Sequence, residues 1–260
     1  MNEQNTRTPS AVTVSVVIPA YNAERFLPDA LDSVMRQTAD CWEMIIVDDC
    51  STDHTAAIAA SCAARDDRVV LIRNEQNCGA SASRHRGVLA ARGEWIAFLD
   101  SDDVWAPEKL ELQLAHARQT GAKLVFTASA FMHEDGSPYA YVMPVPETVD
   151  YAQLCRQNVI SNSSVMVDRA LFLRCELVGS DMHEDFACWL NLLRSGETAY
   201  GINLPLLTYR VSSASKSGNK FRAAKMNWNT YRRVGMDPLT ALYYMAWYTV
   251  RGLKKYSHLR

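Results

Sequence analysis

The chain has 260 residues, 48% of them hydrophobic, which is enough to bury the core of one large α/β domain with or without a C-terminal appendage. Its formal net charge of −2 gives no general attraction to nucleic acid, so nucleic acid is not an expected partner. Seven scattered cysteines without a CxxC pair argue against a disulfide framework and a structural zinc site, and they fit a reducing compartment.

The polar N-terminus lacks the apolar core of a signal peptide, so residues 1–11 are expected to be a disordered lead-in. No run of about 18 uncharged apolar residues exists in the sequence, which argues against a transmembrane helix.

From Val12 onward, strand and helix patterns alternate along the chain. Short runs of branched apolar residues predict buried strands, and apolar residues at positions i, i+3 and i+4 predict helices. Ser51 or Asp53 is expected to cap the second helix. Repeated βαβα order with short connections predicts a parallel, doubly wound sheet. The predicted strands are 14–19, 44–47, 69–73 and 94–99, and the predicted helices are 25–37, 55–65, 81–91 and 107–120.

Beyond the fourth helix the pattern becomes less regular, and a main α/β domain is expected to cover residues 12–220 with a helical extension over residues 221–260. A polar, flexible segment is predicted at residues 212–220. The other predicted elements are strands at 123–128 and 161–167, a loop or hairpin at 136–146, and helices at 184–194 and 221–256.

Two predicted strands end in acidic clusters, Asp48 with Asp49, and Asp100 with Asp102 and Asp103. Ligands of open α/β sheets bind just beyond the carboxyl ends of the strands. So many carboxylates at one edge repel each other unless a cation or a hydrogen-bonding ligand is present. Oxygen ligands suit Mg²⁺ or Mn²⁺, which commonly bridge to substrate phosphates. A single Asp in such a place is often only a helix cap, but two clusters favour a ligand site.

The order of five motifs between Val12 and Arg210 resembles that of the family-2 glycosyltransferases, whose catalytic domain has the GT-A fold. One departure is His85, since the family often has Asn after the motif arginine, and the role of this position stays open. The motifs are VVIPAYN at 16–22, IVDDCSTD at 46–53, NCGAS at 77–81 with Arg84, GEWIAFLDSDD at 93–103, and HEDF at 183–186 with Trp189.

The resemblance implies a Rossmann-like, mostly parallel α/β sheet flanked by helices, with a nucleotide site at the carboxyl end of the first strands. In the family pattern, Pro19, Tyr21 and Asn22 form the wall against the base, and Asp49 hydrogen-bonds the base. Arg84 faces the nucleotide end of the site. Taken alone, Tyr21 and Asn22 are equally an ordinary turn, and Arg84 is equally a solvated helix residue.

The resemblance also implies a divalent metal, Mn²⁺ or Mg²⁺, bound by Asp102, with Asp100 near the ribose. Such an ion neutralises the charge that develops on a leaving nucleoside diphosphate. Asp103 is expected to cap a helix or to support Asp102 from behind, with direct metal ligation as the alternative. Arg210 is expected to close a flexible loop over the diphosphate together with Lys216 and Lys220. The two lysines alone are equally explained as solvated loop residues.

In the same family pattern, Asp185 is the general base that deprotonates an acceptor hydroxyl, and Glu184 beside it contacts substrate. The hydroxyl attacks the anomeric carbon opposite the leaving diphosphate, which inverts the anomeric configuration. The alternative is that both acids only stabilise the N-terminus of a helix through its dipole. His183 is either an acceptor contact or a surface residue.

The implied function is transfer of a sugar from a nucleotide-sugar donor, most simply a UDP-sugar, to a glycan or lipid-linked acceptor in cell-surface polysaccharide or lipopolysaccharide assembly. The expected location is the cytoplasm, or the inner face of the plasma membrane. Residues 238–260 mix apolar residues with cations, which suits a helix on an anionic membrane. The alternatives are packing on its own domain or on a second subunit in a homodimer.

Two other classes of function stay open. A sugar nucleotidyltransferase usually has a Gly-rich loop and a basic residue after the first strand, whereas Pro19-Ala20-Tyr21-Asn22 provides neither. A non-catalytic sugar- or nucleotide-binding module has no need for Asp100, Asp102 and Asp185 together.

Overall fold

The computed structural model describes residues 12–175, 181–211 and 220–255. In the first half of the chain, the predicted strands and helices occur in the predicted order, with bounds that differ from prediction by at most two residues, and a short unpredicted strand, β5, is added. These elements are β1 Val14–Ala20, α1 Leu27–Met35, β2 Trp42–Asp48, α2 Thr55–Ala63, β3 Val69–Arg73, α3 Ala80–Ala90, β4 Trp95–Phe98, β5 Val104–Trp105 and α4 Lys109–Thr120.

The second half of the chain contains a hairpin and most of the helices on one face of the sheet. Its elements are β6 Leu124–Met132, β7 Pro138–Met143, β8 Thr148–Val149, α5 Tyr151–Arg156, a 3₁₀ turn at Asn162–Ser164, β9 Met166–Asp168, α6 Arg169–Phe172, α7 Glu184–Arg194, β10 Ala199–Arg210, α8 Lys220–Arg233 and α9 Pro238–Lys255.

The described strands form one sheet in the order β3-β2-β1-β4-β9-β6-β10-β5, with β7 beside β6 and β8 beside β10. β1 is parallel to both β2 and β4, and β2 is parallel to β3. β9 is antiparallel to β4 and to β6. The predicted α/β architecture with a parallel core is therefore confirmed, and the carboxyl ends of β1, β2 and β4 meet at one edge.

Helices cover both faces of the sheet, which explains why the central strands are mostly apolar on both sides. In β1, Val16 and Ile18 belong to the core beneath α1, α2 and α4, whereas Val17 belongs to the core on the opposite face. The second core also contains residues of α3 and of α5 to α9. Because successive side chains of a strand point to opposite faces, a doubly covered strand needs apolar residues at every position.

Three local differences from the sequence-based expectations have physical reasons. The predicted strand 161–167 begins with a 3₁₀ turn, because Ser161 to Ser164 bond back onto their own backbone, as in the Oγ of Ser164 donating to Ser161 O at 2.7 Å. The predicted final helix is divided after Arg233, where Gly235 has φ +82° and Asp237 accepts the backbone N–H of Leu239 at 3.0 Å. Strand β10 was not predicted, because Gly201 and Pro205 interrupt its apolar pattern, and it lies between β6 and β5.

Some expectations fall on parts of the chain outside the described residues. These are the disordered lead-in at residues 1–11 and nearly all of the polar segment at 212–220, including Lys216. Among the helices that are described, none combines the length and the apolar character needed to cross a membrane.

Candidate active site

The loops after β1 and β2 are joined by hydrogen bonds around Asn22. The backbone N–H of Asn22 donates to Ser51 Oγ at 3.1 Å, and Asn22 Oδ1 accepts the backbone N–H of Thr52 at 2.9 Å. Asn22 has φ +47°, a conformation that Asn tolerates better than most residues. The side chain of Asn22 therefore shapes the nucleotide wall expected at this edge by fixing the two loops.

The other two predicted wall residues differ in exposure. Pro19 is buried inside β1, whereas Tyr21 follows the strand and is 50% exposed. Of the two, Tyr21 is the one that presents a free surface to a ligand. Neither predicted capping residue occupies the N-cap position of α2, which is His54, but Asp53 just before it accepts the backbone N–H of Thr55 at 2.9 Å.

Asp49, predicted to bind the base, is 2% exposed and holds the loop before α3. Its Oδ1 accepts the backbone N–H of Cys78 at 2.9 Å and Nδ2 of Asn74 at 2.6 Å, and its Oδ2 accepts the backbone N–H of Gly79 at 2.7 Å. Burial opposes the charge of the carboxyl, but these donors outweigh it and lower the pKa of Asp49. A carboxylate with this many donors stays ionised and fixes the loop.

Asp100, the first acid after β4, is surrounded by donors. Its Oδ1 accepts a hydrogen bond of 2.6 Å from Arg84 and one of 3.3 Å from Nδ2 of Asn162. Its backbone N–H donates to the Oγ of Ser163 at 3.0 Å. The 3₁₀ turn at Asn162–Ser164 therefore orients the carboxylate at the end of β4.

Arg84 lies on α3 and connects Asp100 to the start of α7. Its guanidinium donates to Glu184 Oε1 at 3.4 Å as well as to Asp100. Burial opposes the positive charge, but Asp100, Glu184 and Asp185 together raise the pKa of Arg84 above its ordinary value. Arg84 was expected only to face the nucleotide. The structure shows in addition that its guanidinium forms two ion pairs, with Asp100 and with Glu184.

Glu184 and Asp185 form the first turn of α7, where acids interact favourably with the helix dipole. Both side chains are partly buried. Burial, and then the charge of Glu184, raise the pKa of Asp185, whereas the nearby Arg84 opposes this rise. His183 precedes the helix, and its backbone N–H donates to Thr230 Oγ1 at 3.0 Å.

A cleft between α3, the end of β4 and α7 brings the predicted residues Arg84, Glu184 and Asp185 together. Asp100 lies at the same place through its bond to Arg84. The cleft is lined by Ser81, Arg84, Phe98, Asn162, Phe172, Glu184, Asp185, Cys188 and Trp189. Acids that are about 85 residues apart in the sequence thus share one cleft with a single bridging arginine.

Arg210 is the last residue of β10 and is 3% exposed. Its Nε donates to the carbonyl oxygen of Asp102 at 2.9 Å, its backbone N–H donates to Asp103 Oδ1 at 3.0 Å, and its guanidinium pairs with Asp29 at 2.8 Å. The expectation that Arg210 belongs to a flexible loop is therefore wrong, because a strand end and these bonds immobilise it. Arg210 instead orients the segment that carries Asp102.

Asp103 is buried and accepts from the backbone of Arg210, so it does not cap a helix. The helix that follows, α4, begins after Glu108. Burial, and then the charges of Asp102 and Asp100, hold the pKa of Asp103 well above its ordinary value. Of the roles expected for Asp103, the geometry fits support of Asp102 from behind.

The donor set around Asp102 fits a hard divalent cation. Burial, and then the charge of Asp100, raise the pKa of Asp102 to about 6, so this carboxylate lies in a field that a cation would relieve. In the part of the chain that the structure describes, no three His, Cys, Asp or Glu side chains cluster closely enough to form a metal cage. An ion here therefore needs ligands from substrate, as Mg²⁺ usually does with one or two carboxylates plus phosphates.

Sequence reasoning missed Asn162 and Ser163 as contacts of Asp100. The signal for them was weak: Ser161-Asn162-Ser163-Ser164 is a polar run inside a stretch predicted as a strand. Four such residues in a row are more typical of a turn that bonds to its own backbone than of a buried strand. His85 lies on α3 one position after Arg84, and its role stays open.

Comparison with known proteins identifies close sequence relatives. The sequence model described as "Glycosyl transferase family 2" matches residues 15–178. TuaG of Bacillus subtilis, a glycosyltransferase assigned by name to teichuronic acid biosynthesis, is 39% identical over 221 residues, which is 85% of this chain and 88% of TuaG. WfgD of Escherichia coli, a UDP-Glc:α-D-GlcNAc-diphosphoundecaprenol β-1,3-glucosyltransferase, is 31% identical over 94% of this chain and 95% of its own.

Solved structures support the same fold at lower identity. The S. aureus protein TarS in complex with UDP-GlcNAc superimposes with a TM-score of 0.72 and 17% identity, over 93% of this chain and 73% of the TarS chain. The mannosyltransferase PcManGT of Pyrobaculum calidifontis, in complex with GDP-Man and Mn²⁺, gives a TM-score of 0.68 and 16% identity over 96% of this chain and 72% of its own. At such identities the likeness concerns the fold alone.

Proposed function

Because this chain belongs to glycosyl transferase family 2 and is a glycosyltransferase with the GT-A fold, we propose that it moves a sugar from a UDP-sugar to a hydroxyl of a lipid-linked or glycan acceptor, with inversion. The proposed setting is the assembly of a cell-surface polysaccharide at the cytoplasmic face of the plasma membrane. The names of the relatives TuaG and WfgD support the substrate class, and seven free thiols suit a reducing compartment.

The donor side of the proposed site is the edge formed by the loops after β1 and β2. Tyr21 offers an exposed ring to the base, and Asn22 fixes the loop that carries it. Asp49 is proposed to act on the base side by keeping the Cys78–Gly79 loop against this edge. Asp100, oriented by Arg84 and Asn162, is proposed to accept from a ribose hydroxyl.

Asp102 is proposed to hold Mn²⁺ or Mg²⁺ together with diphosphate oxygens. When bound, such an ion neutralises the charge that develops on the departing nucleoside diphosphate. Arg210 is proposed to contribute to the metal site indirectly. Its hydrogen bonds to the Asp102 carbonyl oxygen and to Asp103 fix the backbone that carries the Asp102 carboxylate.

Asp185 is proposed to take the proton from the acceptor hydroxyl as that oxygen attacks the anomeric carbon. Its raised pKa favours this role, because a general base works best when its pKa approaches the working pH. The bond forms on the face opposite the departing diphosphate, so an α-linked donor sugar becomes β-linked. Glu184, held by Arg84, is proposed to contact the acceptor or donor sugar beside the base.

The observation that carries the proposal is the double ion pair of Arg84 with Asp100 and Glu184. It fixes the acidic start of α7, which carries the proposed base, against Asp100 at the end of β4, two residues before the proposed metal carboxylate Asp102. A site for displacement between two substrates needs this arrangement, whereas a simple binding module has no need for it.

The experiment incubates the protein with labelled UDP-glucose and Mn²⁺, first without an acceptor and then with a GlcNAc-diphospholipid. Release of UDP, accelerated by the acceptor, supports the proposal. Pyrophosphate release would instead indicate a nucleotidyltransferase, and no release from any donor of a UDP-, GDP- and dTDP-sugar panel would indicate a binding module. The anomeric configuration of the product, read by NMR, decides the stereochemistry: an α-linked glucose would overturn inversion.

A further inference from the structure

The C-terminal helix α9 has two apolar faces, and the described residues of the core pack against one of them. Ala241 is completely buried, and Tyr244, Met245 and Tyr248 pack against the core that contains α7. This contact confirms that the helix is a packing element of the domain. It uses only part of the apolar surface of the helix.

The opposite face, which we name the outer face of α9, contains Leu239, Leu242 and Tyr243. These side chains are 79%, 56% and 52% exposed. Their spacing of three or four residues aligns them along one side of the helix. Large apolar side chains that share one exposed stripe mark an interaction site more often than singly exposed ones do.

The charges of α9 indicate what kind of surface covers the stripe. Between Pro238 and Lys255 the sequence contains no acid, and its last five residues include Arg251, Lys254 and Lys255. Cations beside a membrane surface are attracted by anionic headgroups, and Tyr and Trp side chains favour the boundary between headgroups and acyl chains. A second copy of α9 contains no acidic residue that could pair with these cations. The charges of the helix therefore favour binding to anionic lipid over binding between two copies of α9.

The position of α9 relates the outer face to the catalytic cleft. The ring of Tyr248 lies 6.1 Å from that of Phe186, centroid to centroid, and Phe186 directly follows Asp185 on α7. The packed face of α9 therefore contacts the helix that carries the proposed base.

We propose that the outer face of α9 docks on an anionic lipid bilayer and thereby presents the acceptor side of the cleft to the membrane surface. The evidence for docking is the exposed stripe and the cations at the end of the α9 sequence. The role of docking in delivering a lipid-linked acceptor rests on the function proposed above. The helix lies in the interface, since no described helix is able to span the bilayer.

The test is co-sedimentation of the full chain with vesicles of phosphatidylcholine alone and of phosphatidylcholine mixed with phosphatidylglycerol. The wild type is expected to sediment with the mixed vesicles, and higher salt should weaken this binding because exposed charges are screened. The combined substitution Leu239→Glu with Leu242→Glu is expected to reduce binding about tenfold or more, since it places charges in the contact. Replacing Arg251, Lys254 and Lys255 by Gln should remove the preference for the anionic vesicles by about the same factor.

The matched control is Leu89→Glu, the same change at a leucine that is 64% exposed on α3. It should sediment like the wild type, and all variants should keep the wild-type melting temperature. A wild type that stays in the supernatant overturns the proposal, as does a double variant that still sediments. A wild-type dimer that the double substitution converts to a monomer, without vesicle binding, would assign the stripe to a second copy. UDP release from UDP-glucose, measured without lipid, tests the proposed function separately from docking.

Discussion

Arg84 on α3 donates a hydrogen bond of 2.6 Å to Asp100 at the end of β4. The same guanidinium reaches Glu184 on α7 at 3.4 Å, so one positive charge lies between the acid at the end of β4 and the acidic start of α7. The pKa of Asp185 therefore depends in part on a residue that the sequence presents only as one arginine of a helix.

Substitution of Arg84 tests this dependence. The charge of Arg84 opposes the rise in the pKa of Asp185, so Arg84→Gln should raise that pKa further. A base with a higher pKa is protonated over a wider pH range, so the acidic limb of the pH profile of kcat/KM should move to higher pH. At neutral pH we expect a loss of about tenfold or more.

The control for this variant is Arg65→Gln, which removes an exposed arginine whose side chain donates to Ser61, four residues earlier in the chain. It should leave the profile unchanged. An Arg84→Gln enzyme with the wild-type pH profile would show that the arginine does not influence the base.

Removal of the Asp102 carboxylate tests the metal site. The affinity of the wild type for UDP, measured by calorimetry, should increase about tenfold or more when Mn²⁺ is added, because the ion screens the diphosphate from the acids. Asp102→Asn should bind UDP with the same affinity in the presence and absence of Mn²⁺. The surface variant Asp135→Asn should respond as the wild type does, and an Asp102→Asn enzyme that still responds to Mn²⁺ would contradict the assignment.

The loop before α3 should depend on Asp49. In Asp49→Asn, the carboxylate that accepts from the backbone N–H groups of Cys78 and Gly79 is replaced by an amide. The NH₂ group of that amide then faces one of these N–H donors and cannot accept a hydrogen bond from it. We expect a loss of about 1–3 kcal/mol in the free energy of unfolding and a higher KM for the donor. Urea denaturation and donor kinetics measure the two effects, and unchanged values for both would remove Asp49 from the site.

A second buried acid, Glu43, should control stability at low pH without affecting catalysis. Ser15 Oγ donates to it at 2.6 Å, and the backbone N–H and Nε of Arg92 both donate at 2.7 Å. Burial opposes ionisation, but these donors outweigh it and lower the pKa of Glu43. Its contribution is therefore complete above the ordinary Glu pKa of about 4.3 and is lost as the pH falls toward the lower folded value.

Glu43→Gln should accordingly cost about 1–3 kcal/mol at neutral pH and flatten the pH dependence of the unfolding free energy below about pH 4.3. Chemical denaturation at several pH values provides the measurement. A variant with the same acid-dependent loss as the wild type would show that Glu43 makes no such contribution.

The order of strands and motifs was predictable because it depends on local patterns. Continuous apolar runs such as Met44–Val47 specify doubly covered strands, and parallel pairing then brings the following acids to one edge. Arg84, Asp100 and Asp185 were identified from their motifs, and the structure places them at one cleft.

The partners of these residues were not predictable, because they come from distant segments with weak local signals. Asn162 reaches Asp100 only because a 3₁₀ turn replaces the start of a strand, and Arg210 is buried only because β10 inserts between β6 and β5. Neither the antiparallel pairing of β10 with β5 nor the interruption at Gly235 follows from apolar periodicity. These features depend on tertiary contacts that the sequence does not display.

The most direct test of the proposed mechanism of sugar transfer is to replace Asp185, the proposed general base. Asn is nearly isosteric with Asp and still suits the start of a helix, so Asp185→Asn should keep the wild-type melting temperature and the wild-type affinity for UDP. Turnover with UDP-glucose and a GlcNAc-diphospholipid should fall by about 10²–10⁴-fold. Turnover close to that of the wild type would contradict the account, since Asp185 would then serve only the helix dipole.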